Sequence, residues 1–567
     1  MPRPLTLLLI LSLAGALRAQ QPFPLQDSAA QSRRLKILNA AYLTFEQRGG
    51  LSVQKLVGQV RLRQDSTLFY CDSALFYDAE NRVEAFGRVR ADMPDNVTLT
   101  AARMTYDANT RIAEVFNNIR LTDGEVVLTT QRMTYFRNED YGYYQGGGKL
   151  VDDSTTLTSV YGYYYPNEQK AYFKRRVELV NPDYTLKTDT LGYNVKTKVA
   201  QFVTYTVINS RDGEIVTRSG EYDTEARRVN LFQRATVRDS SYTLTADTLR
   251  YTDNASTGIA RGRVVVVQKD SSLEVRGNYG RFSRELDESL LAENPVAIQR
   301  FDGDSLFIFA DTLFSTHLER PVQRIRADTV SRPETPDGQW VVRQDTLQDT
   351  VRVRVFKAYR NVRFFMRDFQ GIADSMVYFF DDSLICLFGT PVLWSETQQL
   401  SGDLLSIWMR RKQIDSLYVG GNGFLVAQEG EAGFNQIKGK ELKAKFMDNK
   451  IHRLEVEGNS ESIFFIRDDQ DTARISYQGM NQASSQEMLI YFRDNEARKV
   501  VFKSKPQGTF FPYFEVAGKD NRLEGMEWRA DERPERPVLA PAPPEAPLTE
   551  APAPAGPRTL KGNAPQP

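Results

Sequence analysis

The sequence predicts an all-β protein, built as an elongated stack of repeated β units of about 29 residues each. Three observations favour this fold class: a short phrase that returns at a nearly fixed spacing, alternation of apolar and polar residues around it, and a chain in which 11% of residues are aromatic. Regular internal repeats are typical of stacked or solenoid architectures. Alternation together with aromatic and β-branched side chains indicates strands with one buried face.

The recurring phrase has the form small–polar–x–apolar–x–aromatic. Its first nine copies end 28 to 32 residues apart, at Tyr77, Tyr106, Tyr135, Tyr163, Tyr193, Tyr222, Tyr251, Phe282 and Phe314. A second phrase, Gly–x–apolar–x–apolar, runs in step with the first, as in segments 87–91 and 262–266. Clusters rich in Asp and Asn, such as residues 107–109, separate the two phrases and favour turns. Each unit is therefore predicted to contain strands joined by tight turns.

The apolar face changes sides within the first phrase. In residues 242–251, Leu244 and Ala246 share one parity, whereas Leu249 and Tyr251 share the other. Such a change requires a bulge or a corner in the strand at Ala246-Asp247. Because the phrase recurs, we expect each unit to fold around a bend and the bends to stack in register. No segment after residue 19 has a sustained helical period of apolar residues.

Composition divides the chain into six segments. They are a secretory signal peptide at 1–19, a cap segment at 20–50, a first β-repeat region at 51–318, an insert or junction at 319–350, a second and looser β-repeat region at 351–528, and a Pro/Ala-rich disordered tail at 529–567. The signal has Arg3 before the short apolar run 5–17, followed by the small Ala19. The tail lacks apolar periodicity and consists of residues that keep a chain extended. We therefore expect an exported protein.

The charge balance and the few reactive residues give no sign of enzyme chemistry. Lys plus Arg and Asp plus Glu both number 73, so no basic surface for nucleic acid is predicted. The two histidines, His317 and His452, lie far apart with no His/Cys cluster, which argues against a metal site or a catalytic triad. Cys71 and Cys386 each lie in an apolar strand-like run and are predicted to be separate buried thiols. The sequence thus predicts no catalytic residue, no metal site and no cofactor.

Aspartates recur at the face changes. They are Asp189, Asp247, Asp311, Asp374 and Asp403. They do not follow the Gly-Gly-x-Gly-x-Asp pattern of calcium-binding β-rolls. We interpret them as turn or bulge residues that hydrogen-bond their own backbone.

The inward apolar rows are the candidate functional surface. If the stack is not fully closed, these rows form a groove able to bury acyl chains. The candidate lining residues are Val60, Val89, Leu99, Met104, Tyr106, Leu249, Tyr251, Val264 and Val266. Periodicity alone favours the simpler interpretation, that these side chains only pack on one another.

The paired phrases resemble those of a known family. The segment from Tyr242 to Gly277, YTLTADTLRYTDNASTGIARGRVVVVQKDSSLEVRG, is similar to the OstA-like family of lipopolysaccharide transport proteins. The resemblance covers residues 35–320 and, more loosely, 351–515, and it is greatest to the long stand-alone members of the Bacteroidota. It implies a β-jelly-roll or β-taco fold, a periplasmic location with attachment to the outer membrane through partners, and a groove for the acyl chains of lipid A. It also implies edge-strand addition to other lipopolysaccharide-transport proteins or to further copies of the same chain.

Three functions fit these patterns. The first is a lipid-binding periplasmic bridge in lipopolysaccharide transport. The second is a closed-core β-solenoid with a structural or adhesive role, and the third is a β-helix enzyme acting on polysaccharide. An interior wide enough for acyl chains would separate the first from the second. Inward-facing carboxylates in a cluster would favour the third.

Overall fold

A computed structural model describes the chain over residues 34–94, 96–211, 213–252, 256–270, 272–301, 303–329, 342–411, 413–430, 433–448, 450–468, 476–493 and 496–542. The all-β prediction is confirmed, because these residues are mostly strand and their strand pairings are antiparallel. Within the same ranges, helix is limited to a four-residue α-helix and one 3₁₀ turn. No helix of the described residues is long and apolar enough to cross a membrane. The predicted signal peptide lies outside the described residues.

The chain divides into two compact units, one made of Met1–Asp153 and Val160–Gln169 and the other of Ser154–Ser159 and Lys170–Pro567. The strands of the first unit are β1 (Lys36–Asn39), β2 (Tyr42–Arg48), β3 (Leu51–Gln64), β4 (Thr67–Tyr77), β5 (Arg82–Asp92), β6 (Thr98–Asp107), β7 (Ile112–Thr122), β8 (Val126–Phe136) and β9 (Tyr141–Asp152). Strand β10 (Thr155–Tyr165) has residues in both units.

The second unit continues the series with short and long strands. These are β11 (Lys170–Asn181), β12 (Tyr184–Asn194), β13 (Val199–Phe202), β14 (Thr206–Ser210), β15 (Gly213–Thr217), β16 (Gly220–Asp223), β17 (Arg228–Leu231), β18 (Ala235–Arg238), β19 (Tyr242–Ala246), β20 (Thr248–Thr252), β21 (Thr257–Gln268), β22 (Leu273–Ser283), β23 (Glu288–Ala292), β24 (Val296–Phe301), β25 (Asp304–Phe309), β26 (Thr312–Thr329), β27 (Val342–Phe365), β28 (Gln370–Phe379), β29 (Leu384–Phe388), β30 (Val392–Ser395), β31 (Gln398–Ser401), β32 (Leu404–Arg410), β33 (Gln413–Glu429), β34 (Gly433–Met447), β35 (Lys450–Arg467), β36 (Tyr477–Arg493), β37 (Glu496–Lys503) and β38 (Gln507–Pro512). Helix α1 (Tyr513–Val516) and the 3₁₀ turn Ala530–Glu532 follow.

Strands of the first unit turn a corner at a pair of residues with positive φ. In β5 the pair is Gly87 (φ 69°) and Arg88 (φ 40°). The register shifts there, since Phe86 pairs with Ser73 whereas Arg90 pairs with Tyr70. Three residues of β5 thus lie opposite two residues of β4, which is a β-bulge. The corner divides each long strand into two segments that belong to two sheets.

We call these two sheets arm A and arm B. In the first unit, arm A contains 60–64, 67–71, 89–92, 98–101, 119–122, 126–130 and 148–152, and arm B contains 51–57, 73–77, 82–86, 103–107, 112–116, 132–136 and 141–144. Alternate residues of both arms are buried, and the ring centroids of Phe69 in arm A and Tyr106 in arm B lie 4.9 Å apart. The inner faces of the two arms therefore pack together as the core, in which each large apolar side chain contributes ~1.5–3 kcal/mol.

The predicted face change at Ala246-Asp247 is present in the second unit. Strand β19 ends at Ala246 and β20 begins at Thr248, opposite the positive-φ pair Gly262 and Arg263 on β21. A Cβ on Gly262 would lie 2.7 Å from a carboxylate oxygen of Asp247, so this corner requires glycine for space as well as for φ.

Two of the corner aspartates, Asp247 and Asp311, accept hydrogen bonds from side chains of the neighbouring strand. Arg263 donates to Asp247 (Nη2–Oδ1 2.8 Å), and its hydrogen bonds hold the pKa of that carboxyl below its usual range. Asn361 donates to Asp311 at 3.1 Å, the same kind of contact across a corner. These two aspartates thus lie at a corner, as predicted. Their carboxylates accept hydrogen bonds from side chains of the neighbouring strand, instead of the predicted hydrogen bonds from their own backbone. The short carboxylate suits this role because it reaches across the one-residue gap at the corner.

The predicted insert at 319–350 is an extension of a β-hairpin in its described part. Strands β26 and β27 pair continuously from Thr312 opposite Tyr359 to Thr329 opposite Val342. Pro321 does not interrupt the pairing, although proline removes one donor from a strand. The break in the repeat therefore predicts an insertion at this position. It does not predict that the inserted residues form regular strands.

The two cysteines are free thiols, as predicted, one in each unit. Cys71 is buried, and burial raises the pKa of its thiol to about 12. Cys386 is only half-buried, and burial raises the pKa of its thiol as well. Both thiols are therefore uncharged at neutral pH and poorly reactive.

A C-terminal segment covers part of the second unit. We call residues 513–540 the strap. Its Val516, Leu523 and Met526 are buried against a cluster of strand residues, namely Phe424, Val426, Ile463, Phe465 and Met480. In the second unit, arm A includes residues 296–301, 304–309, 362–365, 370–373, 392–395, 398–401, 423–429, 433–439, 460–467 and 477–485, and arm B includes 355–359, 375–379, 384–388 and 404–410. The cluster lies on arm A, on the face opposite to the inner one, because Phe424 and Val426 alternate with Leu425, whose row of paired residues leads through Leu400 and Leu393 to Ile308. The arm is therefore buried on both faces here, and residues 392–394 and 424–426 are buried without alternation.

Buried glutamine side chains hold the strap by its backbone. The Gln436 amide donates to the Asn521 carbonyl and accepts from the Leu523 N–H, both at 2.8 Å. Gln399 forms the same pair of contacts with Glu527 and Arg529 at 2.7 Å each. Each glutamine amide therefore supplies the strap backbone with the hydrogen bonds that a neighbouring strand would otherwise form. Buried backbone N–H and C=O groups need such partners.

The predicted start of the disordered tail at Arg529 differs from the structure. Arg529 is bound by Gln399, and Arg533 donates to Gln370 (2.7 Å) and to the Glu396 carbonyl (2.7 Å). Composition alone could not reveal these contacts, because they depend on polar side chains of distant strands. Residues 543–567 of the predicted tail lie outside the described part of the chain.

Candidate functional site

An apolar groove lies between the two arms of the second unit, close to their hairpin tips. Arm A contributes Leu273, Ala297, Gln299, Phe301, Leu306 and Ile308. Arm B and its tips contribute Phe356, Tyr378, Phe380, Ser383, Ile385, Met409 and Arg411. The cavity volume of the groove is about 120 Å³, and the groove is open to solvent. Small-molecule sites are commonly ~300–1,000 Å³, so the groove encloses part of a ligand and leaves the rest of it in contact with solvent.

Strand register places these side chains on one face of each arm. In arm A, Ala297 pairs with Ile308 and Gln299 with Leu306. Residues directly opposite in an antiparallel pair share a face. In arm B the same rule links Phe356, Tyr378 and Ile385, which pair in succession. The groove thus results from period-two alternation in strands that are distant in sequence.

The groove has a buried floor and half-exposed walls. Ala297, Ile308 and Phe356 are 1%, 5% and 6% exposed, respectively, whereas Gln299 and Tyr378 are half-buried. The half-buried walls leave the groove in contact with water. Burial raises the pKa of Tyr378, so its phenol stays neutral. The arrangement can accept an apolar chain and offers neutral groups at its rim.

The groove residues show no arrangement for catalysis. Among the described residues, there is no group of three or more His, Cys, Asp or Glu side chains that could hold a metal ion. The lining contains no carboxylate, histidine or thiol. What the groove offers chemically is therefore burial of apolar surface.

The five candidate residues of the first unit lie inside a packed core. Val60, Val89, Leu99, Met104 and Tyr106 all point inward, as predicted, and none is more than 3% exposed. Side chains of the facing arm cover them. Their predicted contact with lipid stays a prediction.

A group of polar side chains, which we call the polar belt, closes the mouth of the first unit. Gln64, at the tip of arm A, accepts hydrogen bonds from the Tyr106 hydroxyl and from Arg137 (3.1 Å), both in or next to arm B. Asp65 accepts from Arg111 at 2.7 Å. Burial raises the pKa of Tyr106, which keeps its hydroxyl as a donor. The first unit is therefore a closed sandwich with its two arms joined at their tips.

Two of the four candidates in the second unit, Tyr251 and Val266, lie in rows that lead into the groove. Leu249 and Val264 are buried, whereas Tyr251 and Val266 are half-buried. Val266 pairs with Val275, which pairs with Ala297 of the groove floor. The row of Tyr251 continues through paired residues Gly258, Phe282, Ser289 and Ser315 to Phe356.

Sequence reasoning missed the residues that line the groove itself. Tyr378 ends a further copy of the recurring phrase, at ADSMVY, so its inward position could have been inferred. Ile308 and Phe356 carry no phrase of their own and lie on either side of the insert. Their proximity depends on how the arms face each other, which repeat spacing does not report.

The structure thus defines a class: an all-β protein with strands bent at left-handed corners into two arms, and an apolar groove between the arms of its second unit. Residues 32–189 match the family model described as OstA-like protein, and this part of the chain is an OstA-like domain. No curated protein matches the chain.

Proposed function

We propose that this chain is a non-enzymatic, periplasmic lipid-binding protein of lipopolysaccharide transport, which holds acyl chains in the groove of its second unit. The observation that carries the proposal is the apolar, solvent-open lining between the arms. Burial of an acyl chain gains ~0.8 kcal/mol for each methylene that the groove covers. The OstA-like domain at 32–189 supports the transport pathway, and the signal-like residues 1–19 support export.

The repeat is part of the same proposal. Pairs of adjacent positive-φ residues begin at Gly58, Gly87, Asn117, Gly146 and Arg175, at steps of 29 or 30 residues. We propose that one unit of about 29 residues runs from corner to corner. The candidates of the first unit, such as Val89 and Leu99, would then line a groove between the arms of that unit when the hydrogen bonds of the polar belt break.

Partners are proposed at the N-terminal edge of the first unit. Among the described residues, β1 and β2 pair only with β3. Tyr42 and Phe45 on β2 are 71% and 70% exposed. An exposed edge with large apolar side chains is suited to strand addition by another chain. We propose other lipopolysaccharide-transport proteins, or further copies of this chain, as those partners.

A closed-core β-solenoid with a structural role is the second candidate. The packed interior and polar belt of the first unit favour it. The groove of the second unit favours the lipid carrier, because a purely structural stack gains nothing from an exposed apolar slot.

Mass spectrometry of lipid extracted from the purified mature protein distinguishes the lipid carrier from the structural β-solenoid. For a lipid carrier we expect lipid A-containing species at about one per chain. Protein that is free of lipid after native extraction would favour the structural role and contradict the proposal.

A further inference from the structure

The groove has one charged side chain at its mouth. Among its thirteen lining residues only Arg411 is charged, and the polar ones, Gln299, Tyr378 and Ser383, are neutral. Arg411 follows β32, at the turn toward β33, and is exposed. An arginine at the rim of an apolar slot leaves its guanidinium in water and its donors free for a ligand.

Neighbouring charges do not neutralise this arginine within the described residues. Arg411 has no ion-pair partner there. Asp415 instead pairs with Arg410 (Nε–Oδ1 3.3 Å) and with Lys445 at 3.5 Å. At the neighbouring tip of arm B, between β28 and β29, Asp382 is held by Arg320 at 2.6 Å. The positive charge of Arg411 at the mouth of the groove is therefore available to a ligand.

We propose that the groove binds an anionic amphiphile, with the tail between the arms and a carboxylate or phosphate head at Arg411. This inference rests on the proposed lipid-binding function and adds the charge of the ligand. A charged head cannot enter the apolar floor without a large desolvation cost. At the mouth, the guanidinium forms charge-assisted hydrogen bonds to either acid. Selectivity for anionic over neutral lipids follows from this one residue.

Four amphiphiles with the same tail test the proposal with the full mature chain. They are dodecanoate, dodecyl phosphate, dodecanol and dodecyltrimethylammonium, each used below its micelle concentration to displace a fluorescent fatty-acid probe. We expect both anions to bind about fivefold more tightly than dodecanol, the range of a partly exposed charge contact, and the cation to bind most weakly. Arg411→Gln should remove the preference, so that both anions bind no more tightly than dodecanol. Free phosphate without a tail should not displace the probe.

Arg410→Gln is the matched control. It removes the same charge from the adjacent position, which is ion-paired and does not line the groove. Equal loss in both variants would overturn the proposal, since net charge alone would then explain it. Equal affinity of the acid and the alcohol in the unmodified protein would also overturn it while leaving the groove intact. Absence of binding by all four compounds would overturn the proposed lipid groove itself.

Discussion

Removal of residues 519–567 is expected to lower the melting temperature of the protein by at least about 5 °C. This truncation removes Leu523 and Met526, which are 5% and 8% exposed. Each buried apolar side chain contributes ~1.5–3 kcal/mol, and in large domains each kcal/mol shifts the melting temperature by ~2–4 °C. The truncation also uncovers Phe465 and Met480 and leaves the buried amides of Gln399 and Gln436 without their strap partners, which adds to the loss.

The control is a shorter truncation that removes only residues 543–567. This segment is rich in Pro and Ala and has no apolar periodicity, so we expect its loss to leave the melting temperature unchanged. Thermal unfolding of the two truncated proteins distinguishes the contribution of the strap to stability from that of the tail. An unchanged melting temperature after removal of 519–567 would show that the strap does not hold arm A.

Filling the groove is expected to reduce lipid binding at least tenfold. Gln299→Trp places a large ring in the slot from a half-buried position on the inner face of arm A. Because the residue is not part of the floor, we expect the fold to tolerate the change, with an unfolding midpoint close to that of the original protein. The ring occupies the space of several methylene groups, each of which contributes ~0.8 kcal/mol when bound. Displacement of a fluorescent fatty acid measures the affinity.

Ser305→Trp is the matched control on the opposite face. Ser305 pairs with Arg300, one position along from the pairing of Gln299 with Leu306, and is also half-buried. It therefore receives the same ring on the same hairpin, but outside the groove. Similar affinities of the two tryptophan variants would place the lipid elsewhere.

The sequence allowed the fold class and local geometry to be predicted because alternation and corners are local properties. The face change at Asp247 could be read from the parity of Leu244, Ala246 and Leu249, and it lies at the predicted position. The inward direction of Val60, Val89 and Met104 follows from the same rule. Parity shows which face a side chain occupies, but not whether the facing arm closes over it.

Other features depend on contacts between distant segments and escaped prediction. The run 423–427 lacks alternation, which indicates burial on both faces without saying what covers the second. The cover is the strap, held by Gln399 and Gln436. The polar belt likewise depends on Arg137 reaching Gln64, 73 residues away. Contacts between residues so far apart in the chain cannot be inferred from a single sequence.

Site-specific photo-crosslinking on β28 tests the central claim most directly. Tyr378 and Val377 are adjacent and both half-buried, but only Tyr378 lines the groove. Each is replaced in turn by a benzophenone-bearing amino acid in the full-length protein, and the cells are irradiated. We expect a lipopolysaccharide adduct at position 378 and little or none at 377. Equal adducts at both positions, or none at either while both variants remain folded, would contradict the proposal that acyl chains lie between the arms.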